Sequence, residues 1–115
     1  MENIIGKASG ADKNTIVQMK VIGTYDGILL DLDFKVISNN RDIEDFLKTI
    51  KAGMNGLTAG DVMEEITAEN ILENIELPEE DIYIAELIEK VFQKAVIDYI
   101  QQQLKIPVEQ KYDEE

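Results

Sequence analysis

NTIVQMKVIGTYDGILLDLDFKVI, residues 14–37, decides the fold. In its first part Val17, Met19 and Val21 alternate with polar residues, the two-residue period of a half-buried strand. In its last part Ile28, Leu30, Leu32, Phe34 and Val36 face one way, and Asp31, Asp33 and Lys35 face the other, with Leu29 and Ile37 at the ends. Gly23-Thr24-Tyr25-Asp26-Gly27 lies between them, and Asp-Gly is the strongest short-range hairpin cue. The stretch predicts an antiparallel hairpin with one core face and one wet face.

Downstream the period lengthens to that of a helix. Ser38-Asn39-Asn40 can cap a helix over 41–54, in which Ile43, Phe46, Leu47, Ile50 and Met54 share one side. Thr58, three residues before Asp61, predicts a short helix through Glu65, and Thr67 predicts another that holds Ile71, Leu72 and Ile75. Pro78 opens a long helix over 79–104, whose stripe of Ile84, Ala85, Ile88, Val91, Phe92, Ala95, Val96, Tyr99 and Ile100 is wide enough to lie centrally. The expected class is α+β: a small antiparallel sheet built on the hairpin 14–37, with room for a third strand, helices packed on one face and a long C-terminal helix. Residues 1–12, polar and glycine-containing, are expected to be a flexible arm. Residues 13–104 are expected to form the domain, and the acidic 105–115, in which Pro107 ends the ordered region, a disordered tail.

The chain has no Cys and no His. That removes disulfides, thiolate or imidazole metal sites, thiol nucleophiles and Ser-His-Asp or Cys-His catalysis. The net charge is −13, and it is unevenly spread: residues 52–89 carry eleven acidic side chains and no basic one. Such a field repels phosphate backbones and anionic membranes and favours a basic protein surface or a cation. No apolar run is long enough to span a bilayer, and MENIIGKASG has no signal-peptide apolar region, so a cytoplasmic location is expected.

Several constellations offer chemistry and have a plainer structural reading. Asp31 and Asp33, about 7 Å apart along one strand face, could work as paired carboxylates in a small-molecule enzyme, or simply be solvated. Glu79, Glu80, Asp81, Glu86 and Glu89 could hold a cation, or suit a helix start. Gly53, Gly56 and Gly60 lack the lysine and spacing of a phosphate loop. Met54 and Met63 read as core fillers.

The order of pieces resembles the NifU/IscU-like iron–sulfur cluster assembly scaffold family, with its SufE/NifU-like arrangement. The resemblance rests on Asp26-Gly27-Ile28, Leu30-Asp31-Leu32-Asp33-Phe34-Lys35, Gly56-Leu57-Thr58 before Asp61 to Glu65, Ile66-Thr67-Ala68-Glu69-Asn70-Ile71, and Leu77-Pro78 before the long helix, and it covers roughly residues 12–100. It implies three cysteines and a histidine as ligands, because thiolates suit iron and zinc. Carried across, the vestigial ligand positions are Asp12, Asn39, Tyr83 and Ile84. No ligand cysteine or histidine survives, so no metal or cofactor is expected. The implied protein is a degenerate scaffold acting as a non-catalytic protein-binding or regulatory module, with a partner in the iron–sulfur assembly machinery. The resemblance leaves open a direct role in assembly, with carboxylates such as Asp12 helping to hold iron.

Overall fold

The computed structural model describes residues 3–38 and 40–113, with 106–113 described by backbone alone. Three strands, β1 (Ile4–Asp12), β2 (Thr15–Gly23) and β3 (Leu29–Ile37), form an antiparallel sheet in the order β1-β2-β3. Helices α1 (Asp42–Gly53), α2 (Ala59–Glu65) and α3 (Ala68–Asn74) follow. A single 3-10 turn (Glu79–Asp81) then leads into α4 (Ile82–Asp113), which lies on the sheet. This is the α+β architecture that the hairpin and the long helix predict, and the third strand is present.

β1 corrects the reading of residues 1–12 as a flexible arm. The inward-facing residues of this strand are Ile4, Gly6, Ala8 and Gly10, and only Ile4 is large. A Cβ on Gly6 would lie 2.2 Å from the carbonyl oxygen of Ala95, and one on Gly10 would lie 2.8 Å from a methyl of Val91. The small residues are the groove in which α4 sits. The strand acquires its buried face from a helix about ninety residues away, and a hydrophobicity pattern registers small residues poorly. Residues 4–12 therefore belong to the domain, ahead of the expected start at residue 13.

β2 keeps its period: Val17, Met19 and Val21 are buried. β3 does so only in part. The register shifts at Ile22/Gly23, so that Ile22 faces Asp31 while Gly23 faces Leu29, and Leu30 is the extra residue. This bulge inverts the alternation and buries Leu29 in place of the expected Leu30. Gly27, at φ 96°, closes the connecting turn.

The caps of α2 and α3 follow from sequence. Thr58 and Asp61 form a reciprocal capping box on α2, and the Thr67 hydroxyl accepts from the main-chain N–H of Asn70 on α3. On α1, against the expected cap by Ser38-Asn39-Asn40, the N-cap position is Arg41 without a side-chain cap, and Asn40 Oδ1 accepts from Asp42 N at 3.0 Å just ahead of it. The backbone of α4 runs past the expected stop at residue 104 and is helical to Asp113, so the expected tail over 105–115 is helical where it is described, and residues 114–115 lie outside the described residues. Pro107 lies inside this helix, where its missing N–H removes one intrahelical hydrogen bond. Ile100, placed in the core stripe by its spacing, is instead 40% exposed. Among the described residues no helix is long and apolar enough to cross a membrane.

Candidate functional site

The register puts Asp12 opposite Thr15 and Ile37 opposite Ile16, so the ends of β1 and β3 share one end of the sheet with the start of β2. The start of α4 reaches the same place. Thr15 Oγ1 and Tyr83 Oη are 2.9 Å apart, and Lys13 Nζ stands 4.3 Å above the centre of the Tyr83 ring. Asp12 and Tyr83 line one cleft of about 380 Å³ between β1 and α4, together with Glu86, Lys90 and Lys94. Ile84 points the other way and is buried in the core at 2% exposure. Asn39 lies outside the described residues.

The Thr15 hydroxyl, itself buried, is satisfied by Tyr83. Lys90 and Lys94 line the cleft beside Asp12 and Glu86, which makes its lining mixed in charge. Among the described residues no three Asp, Glu, Cys or His side chains are placed to share a metal ion.

Asp31 and Asp33 come together at the edge of β3, where both meet Lys51 of α1. Its ammonium lies 3.1 Å from Asp31 and 3.2 Å from Asp33, and donates to the main-chain oxygen of Leu32 at 2.9 Å. The hydrogen bond from Lys51 is the main cause that lowers the Asp31 pKa, and the bond to Asp31 is the main cause that raises that of Lys51. A general base working near neutrality needs a carboxyl pushed upward, the opposite direction. The pair fastens α1 to the strand edge.

The other acidic residues divide. Glu89 Oε1 accepts from the main-chain N–H of Ala68 at 2.6 Å, and Glu89 Oε2 accepts from Gln93. Glu89 thus caps α3 from α4, a role hidden from the sequence because the two residues are 21 apart. Glu86 faces the β1 cleft, and Glu79, Glu80 and Asp81 form the turn before α4. The glycine region is tied to the sheet: Gly56 N donates to Leu29 O at 2.9 Å and Leu29 N to Leu57 O at 2.8 Å. Met54 is buried, and Met63 packs half-buried against the core.

Two larger surfaces were not located from the sequence. On the open sheet face Lys7, Lys20 and Lys35 surround a depression of about 470 Å³. On the helical side, α1 and the α2–α3 pair enclose a wider cleft of about 970 Å³ that contains five carboxylates and no basic residue. The acidic excess of residues 52–89 signals the second; the first draws one lysine from each of β1, β2 and β3, which no local pattern marks.

No protein-family model matches this chain, and no curated protein is similar to it in sequence beyond chance.

Proposed function

We propose that this chain is a degenerate NifU/IscU-like scaffold that has lost cluster ligation and serves as a non-catalytic protein-binding or regulatory module. The observation that carries the reading is the hydrogen bond between Thr15 and Tyr83 beside the buried Ile84. At the positions where the resemblance puts ligands, one side chain is spent on an internal hydrogen bond and another on the core. Support also comes from the order of three antiparallel strands, short helices and a long final helix. Asp12, Tyr83 and the end of β3 share one end of the sheet, as a common ligand site would require. Soft metals take sulfur or nitrogen donors, and the chain has neither cysteine nor histidine.

The test pairs two measurements on the full chain. In the first, the protein is incubated anaerobically with ferrous iron and sulfide, then desalted. We expect no visible chromophore and no change in melting temperature. In the second, binding to the cysteine desulfurase of the same organism is followed by calorimetry, with sulfur transfer assayed alongside. Binding without a change in transfer fits a docking module, and binding with altered transfer fits a regulator. A stable cluster on the chain, or no interaction with the desulfurase or its delivery partners, would overturn the proposal.

A further inference from the structure

The cleft between α1 and the α2–α3 pair has an apolar floor and a charged rim. Phe46 and Ile50, one helical turn apart on α1, meet Ile75 across the floor; Phe46 is buried and both isoleucines are half-buried. The rim holds Asp42 and Asp45 from α1, Glu64 and Glu65 from the end of α2, and Glu76 just after α3, all exposed. Among the described residues none of the five pairs with a lysine or arginine.

The placement of two of them is unfavourable for the fold itself. Glu64 and Glu65 occupy the last turn of α2, which carries no basic residue. A helix end presents unpaired carbonyls there, so a cation stabilises it and a carboxylate destabilises it. Five like charges around one groove add their own repulsion. Asn70 Nδ2 donates to the Glu65 carbonyl at 2.7 Å, but among the described residues no cation meets these carboxylates, and they surround an apolar strip. Sites that violate local rules in this way are where function is sought.

We propose that this cleft docks a basic amphipathic helix of a partner protein, its apolar stripe on Phe46, Ile50 and Ile75 and its lysines or arginines against the carboxylate rim. A helix suits the site because both walls are helices and no free strand edge borders it, which leaves the helix-in-groove mode of recognition. The charge of the rim selects a basic occupant and repels nucleic acid and anionic lipid. The inference rests on the reading of the chain as a protein-binding module and gives that module its contact surface.

The probe is a fluorescent synthetic helix of leucine and lysine with apolar residues at helical spacing, followed by anisotropy. We expect saturable binding that weakens with salt. The double variant Asp45→Lys/Glu65→Lys should weaken it at least about tenfold, as loss of charge complementarity does at interfaces. Ile50→Ser should also weaken it. Because the whole chain is acidic, the control is Glu79→Lys/Glu80→Lys, with the same change in net charge away from the cleft; it should bind within about twofold of the parent. Thermal melts show that each variant folds. Equal losses in both double variants would reduce the effect to net charge and overturn the proposal. So would unchanged binding in Asp45→Lys/Glu65→Lys, or self-association that only this variant abolishes. A desulfurase that binds the parent and this variant equally would sink the cleft and leave the module. A peptide that binds at the cleft while the assembly machinery ignores the chain would do the reverse.

Discussion

The main chain of Gly6 lies directly against that of Tyr99: a Cβ on Gly6 would fall 2.4 Å from the Tyr99 nitrogen, a separation real Cβ atoms do not reach. β1 and α4 therefore touch backbone to backbone. Gly6→Ala must push the helix from the sheet and should cost about 3 kcal/mol, the upper end of ordinary overpacking. Gly10→Ala meets only the ends of the Val91 and Leu87 side chains and should cost less. Gly53→Ala, in the last turn of α1 with open space around it, should be neutral or stabilise by up to about 1 kcal/mol. Urea midpoints of the three variants check the order, and a Gly6→Ala protein as stable as the parent would refute the close contact.

That contact also explains which parts of the fold were legible. The strand β2 and the inner face of α4 announce themselves because large apolar residues repeat at the period of their own element. The strand β1 does not, since its buried face is made of glycine and alanine chosen to fit α4, and the reason lies in the partner. The β3 bulge was hidden because Leu29 and Leu30 are adjacent leucines, and only the pairing with Ile22 and Gly23 shows which one turns inward. At the candidate site, Tyr83 was singled out by its position after Leu77-Pro78, but its bond to Thr15 spans 68 residues and no local pattern encodes it. The acidic cleft was visible as composition and invisible as shape, because its walls come from three different helices.

The Thr15–Tyr83 bond makes a second measurable claim. Tyr83→Phe leaves the buried Thr15 hydroxyl without its partner, which should cost about 1–3 kcal/mol. Thr15→Val in that background removes the stranded group and should recover part of the loss. A double-mutant cycle by chemical denaturation reads the coupling, and additive losses would mean that the two hydroxyls do not interact.

Lys51 links stability to pH through Asp31. Its hydrogen bond lowers the Asp31 pKa below the usual 3.8, so the folded state binds that proton less readily than the unfolded one. The contribution is present above the usual aspartate value and is lost as pH falls through the lowered folded one. Lys51 itself is raised above 10.5, so its share persists at neutral pH and fades only in strong alkali. Both partners are substantially exposed, which limits the effect to about 1 kcal/mol. Lys51→Met should therefore lower the urea midpoint at neutral pH, and the gap from the parent should narrow in acid. A gap that stays constant into strong acid would mean the ion pair contributes nothing.

Tyr99 governs the alkaline side. Its hydroxyl donates to the Thr24 carbonyl, and burial, helped by the charge of Asp26, pushes its pKa above the usual 10.0. A raised folded pKa means that the unfolded chain loses this proton first, so stability falls as pH climbs from the unfolded value toward the folded one. Tyr99→Phe removes the bond to Thr24, whose oxygen keeps a contact from Gly27 N at 3.3 Å, so the loss at neutral pH should be about 1 kcal/mol. The variant has no ionisable group there and escapes the alkaline decline. Parent and variant stability curves should converge as pH rises past 10.0, with the high-pH tyrosinate transition of Tyr99 absent from the ultraviolet difference spectrum of the variant. Parallel curves through that range would show that the Tyr99 hydroxyl is as free to ionise in the fold as in the open chain.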